Sequence, residues 1–269
     1  MNRLIIDKKG KLQVKNGQII FENRKYPLRL IDFLILADLV EFDTKTISKI
    51  TANDVSILIY AKSFSFIHPI SAKNADLKKR QYFALDKRIE IAKWILKGKI
   101  KSNFLGIEFD LSQIEKANNI FELLGIEGNF SRVYFSKYFE LFPKNLTLKK
   151  RSKNPPKDVV NALMSYFYTI AYYEITNHLI KNGFEPLIGY LHEPFRSHYA
   201  LSSDLLEFFR SELDKEVYFL FKNKIVKKSD FSADFRLRDK KRKEIWTFIK
   251  KSMQNLKIQE KISELRSLL

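Results

Sequence analysis

Four side chains have types and spacings that suit binding of a hard cation. Glu127 falls three places beyond Leu124 on a stripe that begins Ile114, Ala117, Phe121 and continues to Ser131, Tyr134 and Tyr138. A carboxylate on an apolar helix face is expensive to bury unless it is paired or bound to a cation. The alternative is that Gly125 and Gly128 break the helix and leave Glu127 in water. Asp204 and Glu207 are spaced i, i+3 and share one helix face. Two carboxylates there repel each other unless a cation sits between them or solvent screens them. A helix N-terminus, whose dipole favours acids, accounts for Asp204 better than for Glu207. His192 lies in Gly189-Tyr190-Leu191-His192-Glu193-Pro194. The His-Glu pair resembles the start of a zinc-protease motif, but the next histidine, His198, is six places on instead of four. Pro194 also forbids the helix that would align them, so a zinc protease is excluded. His192 is then either a hydrogen-bonded structural residue or a ligand of another kind of site. Glu127, His192 and Glu207 together could form an O,N,O site, with oxygens suited to Mg²⁺ or Mn²⁺ and the imidazole tilting the choice toward Mn²⁺.

The charge balance names a partner class. Forty-nine Lys and Arg against 31 Asp and Glu give a net charge of +18 over 269 residues, which favours a polyanion: nucleic acid first, an anionic membrane second. The basic residues cluster at Lys149, Lys150, Arg151, Lys153 and Lys157, at Arg236, Arg238 and Lys240 to Lys243, and at Lys78, Lys79 and Arg80. Any one cluster also describes a solvated helix face; three of them favour phosphate-backbone binding. The candidate DNA contacts are Arg132, Lys153, Lys157, Arg236 and Arg238. There is no cysteine, which excludes disulfides, thiolate metal sites and a cysteine nucleophile. The uncharged run from Val159 to Tyr173 would rise only about 22 Å as a helix, short of a bilayer core of roughly 30 Å. With no apolar run for a signal peptide near the N-terminus, a cytoplasmic protein without membrane attachment is expected.

The elements that must position these residues change character along the chain. Leu4–Ile6, Leu12–Val14 and Ile19–Phe21 read as short strands, the last two joined by Asn16-Gly17, a strong hairpin signal. Ile31–Leu36, Val55–Tyr60 and Phe64–His68 continue the β pattern, and Asp43 or Thr44 caps a short helix reaching about Asn53. From Tyr82 the period becomes helical: Tyr82, Leu85, Ile89, Ala92 and Leu96 share a face. The Ile114 stripe predicts the next helix, and Asn154-Pro155-Pro156 opens the long apolar one, proline being tolerated in a first turn. Further helices are expected around Leu201–Leu213 and from Lys240 to the C-terminus. The fold class is therefore α+β, a small N-terminal β-domain (1–73) followed by a larger all-α C-terminal domain (74–269), with the boundary near Ile70 to Asp76.

Several of these segments, taken in order, resemble one family. Lys153-Asn154-Pro155-Pro156-Lys157-Asp158-Val159-Val160-Asn161-Ala162-Leu163, Gly189 to Pro194, and Asp204-Leu205-Leu206-Glu207-Phe208-Phe209-Arg210 resemble signatures of the CRISPR-associated spacer-acquisition integrase and endonuclease (CRISPR-associated protein one). Gly125-Ile126-Glu127-Gly128 looks like that family's first metal-ligand motif. Asn16-Gly17, Tyr26-Pro27-Leu28, Asn53-Asp54, His68-Pro69 and Asn74-Ala75 fit its N-terminal pattern, and Ser211 departs from it where a proline is common.

The resemblance implies a dimerising N-terminal domain and a C-terminal domain that binds DNA and holds Mn²⁺ or Mg²⁺ through Glu127, His192 and Glu207. Asp204 is then a nearby auxiliary carboxylate and Tyr172 an active-site tyrosine. It further implies a homodimer joined to a small ferredoxin-like companion protein. The chemistry implied is attack by a DNA 3′-hydroxyl on a phosphodiester, which inserts short fragments into a CRISPR repeat array; water in place of the hydroxyl gives nuclease activity. A catalytically silent nucleic-acid-binding subunit, or a mobile-element integrase of the same fold, are the competing readings.

Overall fold

The computed structural model describes residues 2–37, 40–60, 64–69, 74–153, 155–194 and 198–269. It divides into two compact units, Met1–Lys73 and Asn74–Leu269; the stretch 70–73 of the expected boundary lies outside the described residues.

The N-terminal unit contains β1 (Arg3–Ile6), β2 (Gly10–Lys15), β3 (Gln18–Phe21), β4 (Arg24–Pro27), β5 (Phe33–Ala37), β6 (Val40–Glu41), α1 (Thr44–Thr51), β7 (Ser56–Tyr60) and β8 (Phe64–Ile67). One sheet has the order β1-β5-β7-β8, with β1, β5 and β7 parallel and β8 antiparallel to β7. The other has the order β4-β3-β2-β6. The β2–β3 hairpin turns at Asn16 and Gly17, with φ of 50° and 69°, the positive values a tight two-residue turn needs. Asp43 caps α1, its Oδ1 accepting from Thr46 N at 2.7 Å. Leu12, Val14 and Ile19 from one sheet share a core with Leu34, Leu36 and Ile57 from the other. Strands β4 and β6 were not expected from the sequence. β4 (Arg-Lys-Tyr-Pro) is polar and largely exposed, and two-residue β6 is too short to show a period.

The second unit is helical: α2 (Ala75–Phe83), α3 (Arg88–Lys101), α4 (Ser112–Lys116), α5 (Ile120–Glu140), α6 (Val159–Lys181), α7 (Ala200–Leu206), α8 (Arg210–Lys222), α9 (Asp239–Asn255) and α10 (Ile258–Leu268). The architecture is thus the expected α+β class. The helical phases differ from the sequence expectation at five places. A 3₁₀ turn, Ala84–Lys87, advances by three residues per turn and breaks the Tyr82–Leu96 stripe. Tyr82 and Leu85 are left exposed, while Ala92 and Leu96 are buried. Between α4 and α5, Asn119 restarts the helix by accepting from Glu122 N at 2.9 Å, and Glu122 returns to Asn118 N at 2.8 Å. This reset leaves Phe121 86% exposed and turns Leu123, Phe130, Tyr134 and Tyr138 inward. The start of α6 follows the prolines: Asp158 is the cap, its Oδ1 accepting from Asn161 N at 2.8 Å; Asn154 lies outside the described residues. The expected Leu201–Leu213 helix is two, α7 and α8, separated by a turn at Glu207–Phe209. The C-terminal helix also breaks, at Leu256 and Lys257, between α9 and α10. Among the described residues no helix is long and apolar enough to cross a membrane.

Candidate active site

Helix α5 runs unbroken through Gly125 and Gly128, so the alternative of a glycine break does not hold. Glu127 therefore lies on the same inward face as Leu123, Phe130 and Tyr134, with its side chain 23% exposed. Glu207 ends α7 and is almost fully buried, at 3%. The turn that carries it is pressed onto α3. A Cβ at Gly98 would stand 1.9 Å from the Phe208 ring, so only glycine admits that approach. The next residue on α3 is Lys99, 10% exposed, whose ammonium pairs with Glu127 Oε1 and lies 2.8 Å from Glu207 Oε2. Arg210 closes the other side, its Nε donating to Glu207 Oε1 at 2.7 Å.

These charges set the acids' titration. Burial alone would raise the Glu207 carboxyl, but Arg210 and then Lys99 overcome it and hold the group well below the usual carboxylate range. Glu127 is likewise opposed by burial and by the Glu207 charge, and Lys99 brings it down. Ser131 adds a hydrogen bond to Glu127 Oε1 at 2.7 Å.

His192 reaches the same place from a loop. The loop is held to α2 and α3 by Gln81, which bonds Glu185 O at 2.8 Å and Ile188 O at 3.1 Å, and by Arg88, which donates to Tyr190 O at 2.7 Å. Asp204, fully buried on α7, does the rest. Its Oδ2 accepts from Tyr190 N and Leu191 N at 2.6 and 3.1 Å, and its Oδ1 accepts from His192 N at 2.9 Å and faces His192 Nδ1 at 2.8 Å. Burial would push His192 down, but the Asp204 hydrogen bond and charge win and its pKa rises. With Nδ1 engaged, Nε2 is the nitrogen left for a ligand.

Glu127, Glu207 and His192 line one cavity of about 480 Å³ together with Lys99, Arg132, Lys149, Lys150, Arg151, Lys153 and Arg210. Asp204 is not part of its wall, since both of its oxygens are spent on the loop. Tyr172 lines a second cavity with Arg151, Lys153, Tyr173, His198 and Arg210; its hydroxyl accepts from Tyr199 N at 2.7 Å and its ring stacks on His198. Lys157, Arg236 and Arg238 line neither cavity. Arg236 pairs with Asp234 at 2.9 Å, and Arg238 donates to Phe231 O at 3.3 Å.

The donor set fits a hard divalent cation: two carboxylates and an imidazole with a fixed free nitrogen. Glu207 Oε2 is buried and faces the Lys99 ammonium at 2.8 Å. Among the described residues, however, no three His, Asp or Glu side chains already stand close enough to hold one ion; the two acids meet through Lys99. That lysine was missed in the sequence, although it lies three places beyond Leu96 on the stripe of α3. A second missed feature is Asp214, fully buried on α8. It accepts from Tyr168 OH at 2.5 Å and Tyr134 OH at 3.0 Å, and burial raises its pKa to about 6.

An α+β chain whose helical unit gathers two acids and an imidazole in a cationic cavity belongs to a recognisable class. The family model for CRISPR associated protein Cas1 matches residues 4–105 and 103–251, and the chain belongs to that family. It is 29% identical over 274 residues to CRISPR-associated endonuclease Cas1 1 of Thermodesulfovibrio yellowstonii, covering 87% of this chain and 84% of the relative. Its fold matches a CAS1 protein from Thermotoga maritima with TM-score 0.89 at 20% identity, over 99% of this chain and 96% of the other. It also matches a casposase bound to integration product with TM-score 0.78 at 20% identity, over 95% and 82% of the two chains.

Proposed function

We propose that this protein is a divalent-metal-dependent DNA integrase and endonuclease that inserts short DNA fragments into a CRISPR repeat array. The observation that carries the reading is the convergence of Glu127, Glu207 and His192 on one basic cavity, within a chain of the Cas1 family. Glu127, Glu207 and His192 would hold Mn²⁺ or Mg²⁺, which, when bound, supplies Lewis-acid stabilisation of the charge on the transferring phosphoryl group and activation of the attacking hydroxyl.

The chain's own residues account for the remaining demands of the reaction. A DNA 3′-hydroxyl oxygen forms a bond to the target phosphorus, the bond from phosphorus to the target's own 3′-oxygen breaks, and a proton ends on that leaving oxygen. Arg210, Arg151, Lys150 and Lys153 line the approach and would bind the phosphates that flank the reacting one. Asp204 keeps His192 oriented with its Nε2 lone pair free. Tyr172, in the adjoining cavity, would guide the incoming strand. The N-terminal unit would serve dimerisation, and a small ferredoxin-like companion would space two active sites.

A labelled short duplex with free 3′ ends, incubated with supercoiled plasmid and Mn²⁺, Mg²⁺ or chelator, tests the reading. Label should enter relaxed plasmid only with metal. Glu127→Ala, His192→Ala and Glu207→Ala should each abolish transfer while DNA binding survives; full activity in any of them removes that residue from the mechanism. The likeness of fold to a casposase favours one second reading, a mobile-element integrase. Transfer that shows no preference for a repeat-bearing target would support it.

A further inference from the structure

Among the described residues, the ion pairs of Glu127 and Glu207 match two acids with two cations. Each acid carries one negative charge, and among the described residues the cations paired with them are Lys99, shared by both, and Arg210, on Glu207. Glu127 Oε1 and Glu207 Oε2 are both in contact with the Lys99 ammonium, so an ion held between the two acids would compete with that ammonium for space. Two cations cannot share that space: their mutual repulsion in a largely buried pocket is severe, and a lysine ammonium offers only donors, with no lone pair for an ion.

We propose that Lys99 is the site's resident counter-cation. Its ammonium stands where a divalent ion would bind, so ion entry expels it, and Lys99 sets the affinity of the site for divalent metal. The inference rests on the metal-site reading above and adds a residue to it. With Lys99 in place, Glu127 and Glu207 are kept apart from each other's charge and need no metal to remain buried. With Lys99 displaced, the pair of acids, Arg210 and a divalent ion leave one positive charge facing the basic cavity, which suits one DNA phosphate. The geometry at Gly98 supports a built position, because the close seating of Phe208 on α3 fixes where the adjacent lysine can reach.

The test compares the purified full chain with Lys99→Met and Lys99→Arg, using Mn²⁺ alone as probe. Calorimetric titration, or the magnetic-resonance signal of free Mn²⁺, gives affinity without any turnover. Thermal melting in chelator and in Mn²⁺ gives the linked stability. Lys99→Met should bind Mn²⁺ tighter than wild type by on the order of ten- to a hundredfold, the size of coupling usual between opposed ligands. It should melt lower in chelator and gain more from Mn²⁺ than wild type does. Lys99→Arg, which keeps the charge, should bind no tighter than wild type. If Lys99→Met does not fold, Lys99→Gln, which also lacks the charge, should show the same gain in affinity. A structural role alone would lower the melting temperature of Lys99→Met and leave Mn²⁺ affinity unchanged or weaker, and that result overturns the proposal. Failure of wild type and variants alike to bind Mn²⁺ would overturn the metal-site reading itself, and this inference with it.

Discussion

Replacing Asp204 by asparagine removes one negative oxygen from a group that serves four donors. The carboxylate meets Tyr190 N, Leu191 N, His192 N and His192 Nδ1, all within 2.6–3.1 Å. An asparagine has one acceptor oxygen and one donor NH₂. Whichever way the amide turns, two of the four contacts become donor against donor. If the NH₂ faces His192, the imidazole can respond by accepting at Nδ1, which moves its proton to Nε2 and removes the ligand lone pair. Hydrogen bonds to a charged group contribute about 1.5–3 kcal/mol each, so losing two costs about 3–6 kcal/mol. For a unit of this size that corresponds to a fall in melting temperature of roughly 6–24 °C. Mn²⁺ affinity should fall about 10- to 100-fold, the usual effect of losing a partner that orients a metal-binding histidine. Strand transfer should follow, with partial recovery at high Mn²⁺. The pH dependence has a definite sign. His192 titrates above its ordinary value in the fold, so the charged His192–Asp204 pair stabilises below pH 6.5 and its contribution is lost as pH rises through the higher folded value. The stability gap between wild type and Asp204→Asn should therefore narrow as pH rises through that window. An Asp204→Asn protein with wild-type Mn²⁺ affinity and melting temperature would refute the positioning role.

Asp214→Asn tests the buried carboxyl behind the site. Because its folded pKa of about 6 lies above the ordinary 3.8, the native state binds the proton more tightly and wild type loses stability as pH rises between those values. Relative to wild type, Asp214→Asn should gain up to about 3 kcal/mol from pH 4 to pH 7 in chemical denaturation; a constant difference would mean that Asp214 does not titrate there. Lys153, exposed on the rims of both cavities, should contact a DNA phosphate, so Lys153→Ala should reduce the slope of log K against log salt by about 0.9. An unchanged slope would remove Lys153 from the DNA path. Tyr172→Phe removes a hydroxyl bonded to the Tyr199 amide and should cost about 1 kcal/mol of stability with strand transfer nearly retained. A large loss of transfer without loss of binding would instead place that hydroxyl at the reacting atoms.

Strands β1, β2, β3, β5, β7 and β8 and the hairpin were legible because Asn16-Gly17 and short apolar runs are local signals. Helix phase was less so. The stripe from Ile114 through Leu124 runs across the Asn119 cap and is out of phase with α5 up to Leu124, yet its next step falls on Glu127. That residue keeps its place only because it lies four positions beyond Leu123, the buried residue that begins the true stripe of α5. Glu127, His192 and Glu207 could be singled out as side chains too costly or too unusual to leave unexplained, but their meeting depends on helices distant in sequence. Nothing local shows that α3 delivers Lys99 between residues 127 and 207. The signal that existed was a lysine continuing a buried stripe, the same anomaly that drew attention to Glu127. The i, i+3 spacing groups Asp204 with Glu207, whereas in the fold Asp204 turns to the loop and Glu207 to the cavity.

That division of labour has a physical basis. Glu207 carries the charge that faces the cavity, and a buried acid holds its position only if its counter-charges are themselves held. Arg210 is braced by the ring of Tyr168, with its guanidinium carbon 4.8 Å from the ring centroid, and Tyr168 is anchored through its hydroxyl to Asp214. Tyr134, whose own hydroxyl bonds Asp214, connects this network back to α5, the helix of Glu127. The two acids are thus fixed to each other twice, in front through Lys99 and behind through Asp214. Only the front link lies where an ion would bind. An entering ion can therefore displace Lys99 while Arg210 and the tyrosines hold the remaining geometry, which places the adjustable part of the site in one flexible side chain and leaves the rest on helices.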